Sequence, residues 1–139
     1  MSYLFLYGTL ISGHAHPSIL VLLKRHCRDL GRAWAQGRLY DLGEYPGMVE
    51  SGNSSDRVYG RLYEAVSHER HLITQLDRYE NYFPSQPNRS EYLRKHVTVI
   101  NQNTCFEAWT YLYHRPVRNF IRIKNGDYIQ HRKNSNNRI

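Results

Sequence analysis

Apolar positions along the chain fall into two periods. Tyr3-Leu4-Phe5-Leu6-Tyr7 is an unbroken apolar and aromatic run ending at Gly8, the pattern of a strand buried on both faces. Gly37-Arg38-Leu39-Tyr40-Asp41 and Gly60-Arg61-Leu62-Tyr63-Glu64 echo each other as alternating strands. A glycine at the same place in both predicts sheet curvature or close backbone approach. Tyr92 to Ile100 and Phe106 to Tyr113 predict two further strands joined by Asn101-Gln102-Asn103-Thr104. Helical spacing appears twice. Pro17 suits a first turn, and Ile19, Leu20, Leu22, Leu23 and Cys27 give that helix a buried side before Gly31 ends it. From His68, with Ser67 as the expected N-cap, Leu72, Ile73, Leu76 and Tyr79 gather on one arc, while Arg70, His71, Thr74 and Arg78 fall opposite. Gly43 to Gly47 and Ser51 to Ser55 have loop chemistry. Asn125-Gly126-Asp127 is a turn signal. The sum is an α+β chain: a curled, mixed but mostly antiparallel sheet approaching a barrel, with about two main flanking helices.

Within the second helical arc one position breaks the pattern. Glu80 projects between Ile73 and Leu76, one step from the end of the helix. A carboxylate aimed at apolar neighbours loses hydration, its pKa rises, and it becomes suited to moving a proton near neutral pH. The competing reading is a frayed helix end that lets Glu80 swing into water.

Length and charge narrow the classes. At 139 residues the chain is read as one domain over residues 1–132, followed by a basic, polar end over 133–139. The net charge of +7 suggests nucleic acid until it is divided. Residues 1–113 hold 12 Lys and Arg against 11 Asp and Glu, whereas residues from His114 onward hold 7 against Asp127 alone. The body is nearly neutral and the excess is a C-terminal feature, which leaves nucleic-acid binding a minority reading. Cys27 and Cys105, with no secretory segment, read as reduced thiols in a cytoplasmic protein. No apolar run approaches the length of a membrane span. His14-x-His16 and His68-x-x-His71 lack the third and fourth ligands that zinc needs, so no metal is expected. No phosphate-binding glycine loop is present.

Taken in order, several motifs resemble the γ-glutamylcyclotransferase-like family, also called AIG2-like or GGACT-like. They are Tyr7-Gly8-Thr9-Leu10 with Gly13, Leu39-Tyr40-Asp41-Leu42-Gly43 running into Tyr45-Pro46-Gly47, and Val58 through Glu64. Leu76-Asp77 with Glu80 follows, then Tyr92 with Arg94, Val97 and Val99, and Ala108-Trp109 with Tyr111 and Tyr113. The stretch from Ala108 through Arg115-Pro116-Val117 to Asp127 looks most like the small bacterial members. The resemblance implies a curled sheet with a cavity at its mouth, and no cofactor or metal. It implies a small-molecule γ-glutamyl substrate whose α-amine attacks its own γ-carbonyl, giving 5-oxoproline and a free amine or amino acid. By this resemblance Glu80 matches the catalytic glutamate, and Tyr7, Gly8, Thr9 and Leu10 match the loop holding the glutamyl end. Tyr113 is a candidate hydroxyl in the cavity, with Tyr111 open under the same pattern. Some bacterial relatives carry the glutamate just before the Tyr-x-Arg strand instead. Here that position is Glu91, expected to be solvated beside a polar loop and held as the reserve carboxylate. The alternative from a different class is a binding module on the same fold, taking a small ligand or docking its basic end on a polyanion.

Overall fold

The computed structural model describes residues 2–8 and 16–136. Among these, eight strands and three α-helices follow one another. They are β1 (Tyr3–Leu6), α1 (Pro17–His26), β2 (Cys27–Gln36), β3 (Arg38–Asp41), β4 (Pro46–Val49), β5 (Arg57–Ala65), α2 (Glu69–Tyr79), β6 (Tyr92–Asn101), β7 (Thr104–Tyr113), β8 (Ile121–Ile123) and α3 (Tyr128–Asn136). Strand order is β1-β5-β2-β6-β7-β4-β3-β8, and β1 also pairs with β7. That last pairing closes β1, β5, β2, β6 and β7 into a five-stranded barrel, from which β4, β3 and β8 continue as an extension. The α+β expectation of a curled, mostly antiparallel sheet holds, with a third helix added.

The closure is incomplete in a way that positions the site. On its outer edge β7 has two parallel partners in succession: Leu4 of β1 pairs with Trp109, and Met48 of β4 pairs with Leu112. Between them β7 changes partner, and the ladder is interrupted. Side chains bridge the gap. Thr110 Oγ1 donates to the Phe5 carbonyl at 2.8 Å. The Tyr7 hydroxyl donates to the Tyr111 carbonyl and accepts the Met48 N–H at 3.2 Å.

The buried run of β1 follows from its two neighbours. Phe5 and Tyr7 face the barrel interior with Leu39, Met48, Val58, Leu62, Val99 and Leu112. Leu4 and Leu6 face outward, onto Ile19 and Leu23 of α1 and Leu72 and Leu76 of α2. A strand covered on both faces has no polar side to show in its sequence. Leu72 and Leu76 are fully buried, and each such side chain contributes roughly 1.5–3 kcal/mol by leaving water. The paired glycines serve close approach, as expected: a Cβ on Gly60 would stand 2.3 Å from the Leu6 carbonyl oxygen, and one on Gly37 would stand 2.7 Å from Met48 Cε.

Several elements differ from the sequence expectation. The first helix stops at His26 and Cys27 opens β2, so Cys27 is not on a helix face. β2 carries Arg28, Asp29 and Arg32 and has a register shift between Asp29 and Gly31, where Gly31 takes φ +99°. Asn101 Nδ2 satisfies the carbonyls flanking that bulge, Leu30 at 3.1 Å and Arg32 at 2.9 Å. Charge and a bulge together erase the alternation that marks a strand. Pro46–Val49 is a strand rather than part of a loop, because β3 and β7 supply its partners. Residues 133–136 continue α3, so helix extends into the stretch whose composition suggested a tail. Ser67 does not cap α2: His68 is the N-cap residue, at φ 50°, and the Ser67 hydroxyl lies 2.8 Å from His26 Nδ1.

Candidate active site

Glu80 is held by the way α2 ends. With Glu80 as the C-cap, Asn81 takes the left-handed conformation at φ 54°. The Asn81 N–H reaches the Arg78 carbonyl at 3.2 Å and the Tyr82 N–H reaches the Asp77 carbonyl at 2.9 Å. These two bonds form a Schellman motif, which closes the last turn and satisfies its carbonyls. The last turn is thus closed at Glu80, whose side chain lines a cavity.

The cavity measures about 330 Å³, within the size range of small-molecule sites, about 300–1,000 Å³. It lies at the partner switch of β7. Phe5, Leu6, Tyr7 and Gly8 come from the end of β1, Thr110 and Tyr111 from β7, and Tyr92 from the start of β6. Glu44, Tyr45 and Pro46 come from the β3–β4 turn, and Tyr79, Glu80, Asn81 and Glu91 from the end of α2 and the loop after it. Gly8 is needed for the approach of these walls, since a Cβ there would stand 2.8 Å from Pro46 Cγ.

No lysine or arginine is among the lining residues, and among the described residues no hydrogen-bond donor or cation reaches the Glu80 carboxylate. The nearby guanidinium is already engaged: Arg94 Nε meets Asp77 Oδ1 at 2.8 Å, and the Tyr111 hydroxyl donates to the same oxygen at 2.8 Å. Desolvation pushes the Glu80 pKa from 4.5 to about 8, and the neighbouring Glu91 carboxylate adds to the rise. The carbonyl end of α2 acts in the same sense, since a helix C-terminus disfavours an anion. Burial, then the proximity of Glu80, also raises the pKa of Tyr7, so its proton stays on.

Glu91, expected to be solvated, is half-buried. It lines the same cavity, with Oε2 accepting from the Tyr45 hydroxyl at 2.5 Å and Oε1 from Asn81 Nδ2 at 3.4 Å. Its own N–H donates to the Asn81 carbonyl at 3.0 Å, which ties the loop back to the helix end. Tyr113 is not among the lining residues; its ring packs edge-on against Tyr92 and faces Phe120. Tyr111, two positions earlier on the same face of β7, is the cavity tyrosine of that pair. Tyr7 and Gly8 line the cavity, although both hydrogen-bonding capacities of the Tyr7 hydroxyl are committed to backbone groups. Thr9 and Leu10 lie outside the described residues. Tyr45 and Tyr92 joined the wall without being anticipated. Tyr45 precedes Pro46 and Tyr92 opens β6, and the signal was diluted by twelve tyrosines in one chain.

His16 caps α1, its Nδ1 accepting the Ser18 N–H at 3.2 Å. Among the described residues, no three His, Cys, Asp or Glu side chains converge as a metal would require. No helix among them is long and apolar enough to cross a membrane. Arg122 of the basic C-terminal segment is bound inward, with Nη2 at 2.8 Å from Asp56.

A partly closed barrel whose seam opens on a cavity lined by Glu80, with no donor to that carboxylate among the described residues, has the dimensions of a small-molecule site. A sequence profile described as "Gamma-glutamyl cyclotransferase, AIG2-like" matches residues 4–130, and the chain belongs to that family. It is 32% identical over 128 residues to a Vibrio cholerae protein named "Putative gamma-glutamylcyclotransferase", covering 91% of this chain and 94% of that one. It is 31% identical over 136 residues to the "Gamma-L-glutamyl-butirosin B gamma-glutamyl cyclotransferase" of Niallia circulans, covering 95% and 78%. Among solved structures, YkqA from Bacillus subtilis superimposes with a TM-score of 0.69 at 28% identity, over 97% of this chain but 42% of that one.

Proposed function

We propose that this chain cyclises a γ-glutamyl amine or γ-glutamyl amino acid to 5-oxoproline, with Glu80 as the single proton carrier. The observation that supports this most is the unpaired Glu80 carboxylate, with a pKa near 8, facing cavity space beside Gly8.

The chemistry asks little of the protein beyond position and one proton. Glu80, ionised, takes a proton from the substrate α-ammonium. The freed amine nitrogen attacks the γ-carbonyl carbon, forming the ring C–N bond and placing negative charge on the carbonyl oxygen. As the tetrahedral centre collapses, the amide C–N bond breaks, protonated Glu80 returns its proton to the leaving nitrogen, and the re-ionised Glu80 relays the second proton of the ring nitrogen to the freed amine, which departs as an ammonium. The products are 5-oxoproline and the amine, with Glu80 ionised again. A group whose pKa lies near the working pH serves both directions of that transfer.

Both reacting atoms belong to one molecule, so holding it bent is a large part of the task; such preorganisation is worth up to about 7–11 kcal/mol in favourable cases. Backbone N–H groups after β1, from Gly8 onward, are the proposed partners of the glutamyl carboxylate and of the developing oxyanion. The Tyr111 proton is committed to Asp77, which leaves oxygen lone pairs to accept from the substrate ammonium. The deciding experiment measures 5-oxoproline release from a panel of γ-glutamyl compounds by wild type and by Glu80→Gln. Release by wild type that Glu80→Gln abolishes is expected; equal rates would remove Glu80 from the reaction.

A further inference from the structure

The inner cavity addresses the glutamyl group, which leaves its outer half to choose the amine. We propose that this outer half is a subsite for an organic cation, and that the preferred leaving amine carries a second positive charge beyond the nitrogen that is cleaved. This rests on the cyclisation reading above and names the substrate class within it.

Two independent features point there. The first is charge. Glu44 and Glu91 line the cavity in addition to Glu80, and among the described residues no lysine or arginine does. The Glu91 carboxylate is oriented by the Tyr45 hydroxyl and Asn81 Nδ2, both neutral donors. It is thereby aimed without being neutralised, and lone pairs remain for a ligand. Arg94, beside Tyr111, is paired with Asp77, and the charge of Arg115 is felt at the Tyr45 and Tyr113 hydroxyls. Arg115 is exposed and makes no ion pair among the described residues, so it sits at the rim rather than in the wall.

The second feature is a row of aromatic rings that begins at Tyr45, the hydrogen-bond partner of that carboxylate. Tyr45 and Tyr92 are 6.4 Å apart between ring centroids, Tyr92 and Tyr113 5.4 Å, and Tyr113 and Phe120 6.4 Å. Tyr45 and Tyr92 line the cavity, and Phe120 is 38% exposed. Aromatic faces beside carboxylates attract alkylammonium groups through the ring quadrupole while accommodating their methylenes. The same wall disfavours an amine that ends in a carboxylate, because Glu44 and Glu91 would repel it.

Three γ-glutamyl amides of matched length test this: the 4-aminobutyl amide, the pentyl amide and the 4-carboxybutyl amide. For wild type, kcat/KM is expected to fall in that order, with the cation about tenfold above its neutral isostere at low salt and less at high salt. Both substrates meet the same Glu80, so their ratio cancels any change in the proton-transfer step. Glu91→Gln should bring the cation-to-neutral ratio to within about threefold of unity. Tyr45→Phe, which keeps the ring but frees Glu91, should lower it in part. A wild-type ratio near one, or a ratio unchanged in Glu91→Gln, overturns the subsite and leaves the cyclisation intact.

If no γ-glutamyl compound is turned over, the cyclisation reading fails instead, and 1,4-diaminobutane itself becomes the probe. Binding that shifts the ring resonances of Tyr45, Tyr113 and Phe120 in wild type and is lost in Glu91→Gln sustains the subsite. No such binding to wild type overturns it.

Discussion

Asp56 and Glu80 are two shielded carboxylates at opposite ends of the β3–β4 hairpin, and the protein treats them in opposite ways. Asp56 accepts from Arg38 Nε at 2.8 Å, Arg122 Nη2 at 2.8 Å and the Ser51 hydroxyl at 2.6 Å. Those donors, Arg38 first, hold its carboxyl well below the usual carboxylate range. Glu80 has apolar walls, a second carboxylate and no donor among the described residues, and its pKa rises to about 8. The barrel can satisfy an acid completely when the acid is there to hold strands together. Leaving Glu80 without a donor is the feature that sets the proposed proton carrier apart, because strongly perturbed carboxylates in clefts are candidates for function.

The largest test of that contrast is Glu80→Gln. It should reduce 5-oxoproline release by about 10²–10⁴-fold, the usual worth of a positioned proton carrier, in a protein that is still folded by circular dichroism. Stripping the donors from the other acid should do the reverse. Arg38→Gln with Arg122→Gln is expected to lower Tm by several degrees while kcat/KM stays within about twofold, since nothing at the cavity changes. Loss of turnover in that double variant would break the separation between the two ends.

The two acids should also bend the pH–stability curve in opposite senses. Glu80 has its pKa raised from 4.5 to about 8, so the folded state binds the extra proton. Its contribution is fully present below pH 4.5 and is lost as pH rises to about 8. Asp56 has a depressed pKa, so its contribution is present above its ordinary 3.8 and is lost as pH falls through the lower folded value. Thermal melts should therefore show wild type losing stability from pH 5 to 8 and Glu80→Gln staying flatter over the same window. A parallel decline in the variant would mean that Glu80 is not the titrating group.

The smallest expected effect is kinetic. Ascending kcat/KM against pH should have a midpoint near 8 in wild type and a lower one in Glu91→Gln, because Glu91 raises the Glu80 pKa by repulsion. A midpoint moving upward would contradict the geometry.

Much of this arrangement was legible from residue pattern alone, and the limits have physical causes. β1, the two long strands β6 and β7, and the apolar arc of α2 announce themselves because each buries a face in period. Glu80 was visible as the one acid inside that arc. What decided its fate was the Asn81 turn, whose left-handed φ is not encoded by periodicity. β2 was hidden by charge and by its bulge at Gly31. β4 was hidden because Pro46 and Gly47 read as a turn until distant β7 supplies a partner. Glu91 looked solvated because the residue that orients it, Tyr45, is 46 positions away. Tyr111 and Tyr113 point the same way from one strand, and only the partner switch of β7 separates the cavity tyrosine from the rim tyrosine.

The Tyr7 hydroxyl stands in for a missing rung between strands, accepting from Met48 and donating to the Tyr111 carbonyl. The vacancy it spans is the same one that opens on the cavity, so mechanical weakness and the proposed chemistry share one address. Breathing of the wall there would be breathing of the doorway. In Tyr7→Phe, faster amide exchange at Met48 should appear together with slackened hold on whatever occupies the pocket.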